Sequence, residues 1–500
     1  MKAMRRFSIL ISILLLLPGF GMAQNFADAF RMSYNQIQGT ARSAGMGNAF
    51  GALGGDFTSL SINPAGSAIY QSSEFVFTPG FYINKSDMTI GNSTFSDNDQ
   101  KFMLNNVGFI GSSRVNGSET GIVNISYGFG YNRLVNFNSS AFANVNGSPD
   151  SWLDDITTYA NTESLSNAYL NQDIGYIQYR DWPAKLAWNN YLINPALDNQ
   201  QNKIDGQYIS ILNQGEHVNQ DKTYIKSGHI DEYVLNFALN FNHNFYLGAT
   251  VGIQDITYKH HLTYEENFDA GGDMIYRDNY RLDGTGYNIK IGAIYKPVQS
   301  VRLGLAFHSP TFFNLMEESV LNMQSSEQLD YVDSGINQYD YDFNTPLKMV
   351  MSGAVVVGKQ GIISLDAEYM DYSTMRFRRG GNGSDNFNDL NSVMGDNFKS
   401  VINLRIGGEL KLTNNFAVRA GYELYQNPFK MNLDQQSTLT DNISVVSGGF
   451  GYSVNNFSLN VAYTNALTNI SEGGIQPNYY NVDRKNTNQN ILVSLGFRFE

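Results

Sequence analysis

The feature that most constrains this chain is an alternation of apolar and polar residues with a period of two, carried in segments of roughly ten residues. In residues 401–412, Ile402, Leu404, Ile406, Leu410 and Leu412 share one face, while Asn403, Arg405, Glu409 and Lys411 share the other. Residues 457–464 read the same way, with Phe457, Leu459, Val461 and Tyr463 set against Ser458, Asn460, Ala462 and Thr464. About 14 such segments can be placed, near 73–83, 103–113, 120–133, 229–242, 244–262, 284–297, 300–308, 345–358, 361–372, 400–412, 415–425, 443–453, 456–466 and 489–499. The connections alternate strictly. Short turns near 114–119, 243, 298–299, 359–360, 413–414 and 454–455 are separated by long loops near 84–102, 134–228, 263–283, 309–344, 373–399, 426–442 and 467–488. An even number of strands with both termini at one end produces this pattern, which is that of a transmembrane antiparallel β-barrel. A soluble sandwich or propeller does not need it.

Composition supports an all-β membrane protein. Only 16% of residues are charged, yet mean hydropathy is −0.29, and Tyr, Phe and Gly are abundant. Strands with one apolar and one polar face, ringed by aromatic girdles, give that mixture. Residues 1–23 read as a secretory signal peptide: Lys2, Arg5 and Arg6, an apolar run from Phe7 to Leu17, and a small-residue cleavage site ending at Ala23. No later apolar run is long enough for a spanning helix, so any membrane crossing is made by strands. There are 33 basic and 46 acidic residues; the formal charge of −13 becomes −16 once Lys2, Arg5 and Arg6 leave with the leader. That balance argues against nucleic acid as a partner. The absence of Cys excludes disulfides, thiolate metal sites and a Cys nucleophile.

The hairpin at 401–425 fixes a register. A turn at Thr413-Asn414-Asn415 sets Leu412 opposite Phe416, Glu409 opposite Arg419 and Arg405 opposite Glu423, so opposite charges face each other on the polar, lumen side. These pairs either neutralise the lumen wall or take part in transport. The segment 134–228 is too long for a plain loop. Its Ser151-Trp152-Leu153-Asp154 reads as a capped helix start, and a partly helical outer lobe is expected. Trp152, Trp182 and Trp188, the only tryptophans, fall within it, as packing residues or as a ligand surface.

Residues 24–72 lack strand alternation and are rich in Gly and Ala, as suits short helices and turns crowded inside a lumen. The spacing of Gly45, Gly47 and Gly51 superficially suggests a phosphate loop, but no strand precedes it and no Lys follows. The run 39–66, GTARSAGMGNAFGALGGDFTSLSINPAG, and above all Asn63-Pro64-Ala65, resembles the FadL/TodX family of outer-membrane long-chain fatty acid and hydrocarbon transporters. Weaker echoes are FHSPTFF at 307–313, TPLKMVMSGAVVVG at 345–358 and LDAEYMDYSTM at 365–375. The resemblance implies a 14-stranded barrel closed by an N-terminal hatch, passive uptake of hydrophobic molecules, and a side exit at a kinked strand. Carried over, Asn63, Pro64 and Ala65, with Gly45 and Gly47, fix the hatch; Phe26 lines or occludes a pocket; and Gly128 and Gly130 either form the kink or only relieve packing.

Phe312, Phe313, Leu315 and Met316 form an apolar run in a predicted outward loop, either a capture surface for ligand or a packing cluster. No catalytic constellation is apparent. There is no GxSxG elbow, and the adjacent pair His260-His261 reads as solvated. Asp340-Tyr341-Asp342 lacks the spacing of a calcium loop, and no residue pattern identifies haem ligation. The expected protein is therefore a monomeric outer-membrane barrel without cofactor or metal, with both termini periplasmic. Its partners would be a hydrophobic ligand, outer-membrane lipid and lipopolysaccharide, and the barrel-insertion machinery. A porin for polar solutes and a surface receptor or adhesin stay open as alternatives.

Overall fold

The computed structural model describes residues 26–90, 93–115, 120–358, 360–380, 387–430, 438–472 and 482–499. The signal peptide expected over residues 1–23 lies outside the described residues.

Fourteen strands close into one barrel. They are β1 (Ser73–Ile90), β2 (Ser93–Arg114), β3 (Ile122–Asn136, resuming at Ser139–Ser148), β4 (Val218–Phe241), β5 (Phe245–Phe268) and β6 (Asp273–Val298). Next come β7 (Val301–His308 and Phe312–Ser325), β8 (Asn337–Asn344 and Lys348–Val357), β9 (Gly361–Asp371 and Arg376–Arg379) and β10 (Ser400–Lys411). The last four are β11 (Phe416–Tyr425), β12 (Thr438–Leu439 and Ile443–Val454), β13 (Phe457–Glu472) and β14 (Val482–Phe499). Each pairs antiparallel with its sequence neighbours, and β1 closes on β14 from Ser73↔Phe499 to Thr89↔Asp483. Closure leaves no open edge, which a chain surrounded by lipid requires.

Alternation sorts the side chains inside out. Leu235, Val251, Ile291, Leu305, Leu365, Ile406 and Val446 face outward and are exposed, whereas Asn132, Glu232, Lys290, Glu368 and Arg405 face the lumen and are buried. Aromatic residues ring both borders of the outward band. Tyr131 meets Tyr233 at 5.7 Å toward one end, and Phe457 meets Phe497 at 5.1 Å toward the other. At the short-turn end, Asn242 and His243 adopt positive φ of 52° and 57°, the tight reversal that matches strand twist.

The expected long loops are mostly strand. Residues 84–102, for example, are absorbed by β1 and β2, which run to Ile90 and from Ser93. Beyond the lipid band both strand faces meet water or protein, so a stretch such as Ser93–Gln100 carries no apolar alternation to read. Five strands break near this border: β3 at 137–138, β7 at 309–311, β8 at 345–347, β9 at 372–375 and β12 at 440–442. Pro310 and Pro346 sit in two of the breaks, where Thr311 N donates to Thr345 Oγ1 at 2.8 Å and Thr345 N to Thr311 O at 3.1 Å.

The lobe begins only after Ser148 and ends before Val218. It holds a helix at Trp152–Thr162, capped as expected by Ser151, a second at Trp182–Asn189, and a hairpin of Ile193–Leu197 with Lys203–Ser210. Its core includes Leu153, Ile156, Trp182, Leu186 and Leu192, and packs on Tyr264, Phe268, Tyr276, Leu321 and Met323 at the tips of β5, β6 and β7. Those five positions share the lumen-facing parity of their strands, so the lobe bends over the barrel mouth. Trp152 meets Tyr264 and Tyr276 edge to face at 5.7 and 4.7 Å, which favours the packing reading for that tryptophan.

Candidate functional site

Residues 26–72 fill the short-turn half of the lumen as a hatch. It contains α1 (Phe26–Ser33), α2 (Ala41–Ala44), α3 (Ser59–Ile62) and a 3₁₀ turn, Pro64–Ile69. Asp56 ties its segments together, accepting from Thr40 Oγ1 at 2.8 Å and from Thr58 N at 2.9 Å. Gly47 has φ of 58°, and a Cβ there would lie 2.9 Å from Tyr422 N; only Gly fits such a left-handed residue against a strand. Gly45, by contrast, has φ of −63° and simply ends α2.

The wall is bare where the hatch touches it. A Cβ on Gly292 would lie 1.9 Å from Asn63 Oδ1, one on Gly248 2.4 Å from Pro64 O, one on Gly304 2.3 Å from Gly51 O, and one on Gly421 2.1 Å from Gly47 N. Backbone thus packs on backbone around the lumen. Asn63 is the hub of this contact: its amide donates to Gly51 O at 2.6 Å and Ala293 O at 3.1 Å, while its Oδ1 accepts from Ala65 N at 3.2 Å and caps the 3₁₀ turn. Pro64 O accepts from Asn236 at 3.2 Å.

Charge completes the seat. Arg419 Nε lies 2.6 Å from Glu409, in the expected register, and Arg42 of the hatch binds the same carboxylate through two hydrogen bonds of 3.0 and 3.1 Å. Arg405 stands opposite Glu423 but 3.9 Å away; its closer partner is Glu368 at 2.7 Å. Glu423 instead accepts from Asn48 of the hatch at 3.1 Å. Asp366 accepts Gly51 N at 2.9 Å, and Glu232, paired with Lys290 at 2.5 Å, accepts Ser61 Oγ at 2.7 Å. Arg42, Asn48, Glu232, Lys290, Asp366 and Glu368 were not among the sequence candidates. Their signal was a lone charged or amide residue at a lumen-parity position or in the Gly-rich run, but each partner comes from a distant segment.

Above the hatch lies a cavity of about 210 Å³. Its lining includes Phe30, Arg31 and Tyr34 around α1, Val135–Ser139 at the break in β3, Tyr82 and Asn84 of β1, Asn486, Asn488 and Asn490 of β14, and Phe429, Leu439, Ile443 and Ile470. Phe30 packs on Tyr34, Tyr372 and Phe429 at 5.4, 6.0 and 5.4 Å. Phe26 opens α1, but its side chain lies outside the described residues. Beside this cavity the wall loosens. The β2–β3 ladder runs from Arg114↔Asn124 to Asn106↔Asn132 and stops. From there β3 pairs with β4, and β2 with β1. The gap is bridged by side chains: Lys101 Nζ donates to Asn138 Oδ1 at 2.6 Å, and Asn136 Nδ2 approaches Met103 Sδ at 3.8 Å.

This decides one sequence expectation between its two readings and corrects another. Gly128 and Gly130 are not a kink; both lie inside the unbroken ladder, opposite Ile110 and Gly108. Their missing side chains make room for the hatch, since a Cβ on Gly128 would lie 2.8 Å from Leu60 Cδ2 and one on Gly130 2.7 Å from Phe57 Cζ. The strand departs higher, at 133–138. Phe312, Phe313, Leu315 and Met316 are also not a loop patch. They lie on β7, whose pleat turns Phe313 and Leu315 into the core and leaves Phe312 exposed outside opposite Tyr287, with Met316 half-buried. Of the histidine pair, His260 lies 3.4 Å from Asp278 and stacks on Tyr280 at 5.0 Å. Among the described residues no group of three His, Asp or Glu side chains is placed to hold a metal ion.

Residues 270–500 match the family model described as outer membrane protein transport protein (OMPP1/FadL/TodX). Among solved structures, the Pseudomonas aeruginosa FadL homologue superposes with a TM-score of 0.54 at 12% identity, covering 93% of this chain and 99% of that one. The Pseudomonas putida toluene transporter TodX gives 0.50 at 12%, with 93% and 99% covered. The Ralstonia pickettii toluene transporter TbuX gives 0.50 at 13%, with 92% and 98% covered. At these identities the likeness is one of fold. No curated protein sequence matches the chain.

Proposed function

We infer that this chain, whose residues 270–500 match the OMPP1/FadL/TodX family and whose barrel is folded like that of its solved relatives, is an outer-membrane channel for passive uptake of hydrophobic small molecules. The observation that carries this reading is the cavity beside α1, which sits above a seated hatch and next to the one stretch where the described β2 and β3 stop pairing. An apolar solute crosses a lipopolysaccharide leaflet poorly. A route for it needs a pocket above the seal and a way out through the wall, while the sealed lumen keeps ions and water from following. The stretch between β2 and β3 at 101–105 and 133–138, below the apolar packing of Ala141 and Ala143 on Met88 and Ile90, supplies the way out in this reading, and Lys101–Asn138 is its latch.

Both termini then face the periplasm, since β1 and β14 begin and end at the short-turn end, and the lobe faces outward. The cargo belongs to the class that the related structures are named for, toluene and similar hydrocarbons, or to the long-chain fatty acids of the wider family. An open porin is disfavoured by the seated hatch. Mass spectrometry of molecules extracted from the folded, purified barrel tests the reading: one apolar or amphiphilic species at stoichiometric amounts is expected, and a hydrophilic sugar or peptide in its place contradicts it.

A further inference from the structure

The opening between β2 and β3 lies where both strands carry an extra residue. The β1–β2 ladder passes from Thr78↔Asn106 to Pro79↔Leu104 and skips Asn105 on β2. The β3–β4 ladder passes from Arg133↔Asp231 to Val135↔Ile230 and skips Leu134 on β3. A bulge bends its strand and ends pairing, and these two fall within two residues of Asn106↔Asn132, the last rung between β2 and β3. Beyond it β3 is held unequally on its two sides. Toward β4 the ladder runs on to Asn136↔His229, and Arg133 binds Asp231 through hydrogen bonds of 2.9 and 3.1 Å. Toward β2 only side chains cross among the described residues. A motion that widens the opening therefore separates β3 from β2 and leaves the β4 side paired.

Tyr131 is one of the side chains that cross. It shares the outward parity of Tyr127 and Phe129, both exposed, and stands opposite Val107 on β2. Its hydroxyl nevertheless donates to Leu104 O at 3.3 Å, three residues further along β2. The ring therefore lies along the lower end of the opening on its lipid side, and the hydroxyl takes up a carbonyl beyond the last backbone rung. Tyr233 of β4 backs the ring at 5.7 Å. On the other side of the opening Phe102, opposite Phe81 in the β1–β2 ladder, is 75% exposed. An apolar surface thus waits on the lipid side of the opening, with one phenol across its lower end.

We propose that Tyr131 is the shutter of the lateral opening: rotation of its side chain breaks the bond to Leu104 and uncovers the lower end, and Phe102 is the lip onto which the molecule passes. The proposal rests on the uptake reading and states how its exit is controlled. One hydroxyl on one neutral carbonyl closes the opening without locking it, because a single such bond contributes little net stability. Removing the hydroxyl leaves Leu104 O without that donor in the closed form, so the barrier to passage falls while the cavity is unaltered. A shutter stands on the path in both directions. Binding and release then quicken by the same factor, and Kd stays where it was.

The test uses the full mature barrel in lipid nanodiscs and stopped-flow fluorescence, with empty nanodiscs subtracted, and two fluorescent probes: cis-parinarate, a long-chain fatty acid anion, and naphthalene. Tyr131→Phe keeps the ring against Tyr233 and removes only the hydroxyl. It is expected to speed binding and release alike by about threefold to tenfold, the factor that one hydrogen bond supplies, with Kd unchanged. Tyr287→Phe is the control, since Tyr287 lies on the same outward row as Tyr233, through Ile253, but away from the opening; its rates should match the parent's. Parental rates in Tyr131→Phe overturn this inference and leave the uptake reading standing. So does a shift in Kd carried by one rate alone, or an equal acceleration in Tyr287→Phe. Failure of both probes to bind the unaltered barrel overturns both.

Discussion

At the short-turn half of the lumen, Glu409 is held by the guanidinium groups of Arg42 and Arg419, and Glu232 by Lys290, Ser61 and Gln254. Higher up, on the same inward-facing parity of the wall, Asn84, Asn486, Asn488 and Asn490 line a cavity together with Phe30, Tyr34 and Ile443. The two regions are built from the same alternating strands, and both bury polar side chains. They differ in what those side chains meet. In the seat they meet backbone and charge supplied by residues 26–72. In the cavity they meet one another, as Asn84 does Asn488 at 2.6 Å, and stand beside a space of about 210 Å³ that an occupant can enter and leave.

Substitutions at the two regions should therefore behave in opposite ways. The largest effect is expected for Glu409→Leu, which leaves Arg42 and Arg419 without their carboxylate; losing one partner of a buried ion pair costs about 3–5 kcal/mol. Thermal unfolding of the detergent-solubilised barrel should shift down, and planar bilayers should show ion current through a loosened hatch. A variant that melts and conducts like the parent would show that the hatch is held elsewhere. A smaller cost, about 1–3 kcal/mol from forced overpacking, is expected for Gly292→Leu, because its Cβ falls 1.9 Å from Asn63 Oδ1. Limited proteolysis from the hatch side should then cut within residues 39–66, where the parent resists. The smallest effect belongs to the cavity. Asn84→Leu removes one amide hydrogen bond, to Asn488 Oδ1, and that oxygen keeps the Tyr82 hydroxyl as a donor, so stability should fall by no more than about 1 kcal/mol. A loss as large as that of Glu409→Leu would erase the distinction between seat and cavity.

How much of this was legible in the sequence follows from where the lipid is. All fourteen strands could be found because the bilayer imposes an apolar face on each, as at Leu235, Ile291 and Ile406. Beyond the bilayer that constraint ends, and the polar strand extension at Ser93–Gln100 read as loop. The same ambiguity turned Phe312–Met316 into an expected patch, when the pleat divides it between lipid and core. Cross-strand charges in a two-residue register, Glu409 with Arg419, were readable because the turn fixed them. The second ligand of Glu409, Arg42, was not, since it lies 367 residues away in sequence. Gly128 and Gly130 show the limit most clearly. Their sequence pattern suits a bend and a close approach equally, and only Phe57 and Leu60 against them distinguish the two.

The central claim is that the barrel admits apolar molecules while its hatch holds the lumen shut. It is tested most directly by reconstituting the protein and recording, on the same preparation, ion current in planar bilayers and entry of a hydrophobic amphiphile into vesicles. The account predicts background current together with faster entry of the amphiphile than in protein-free vesicles. Steady ion current with no acceleration of the amphiphile would contradict it.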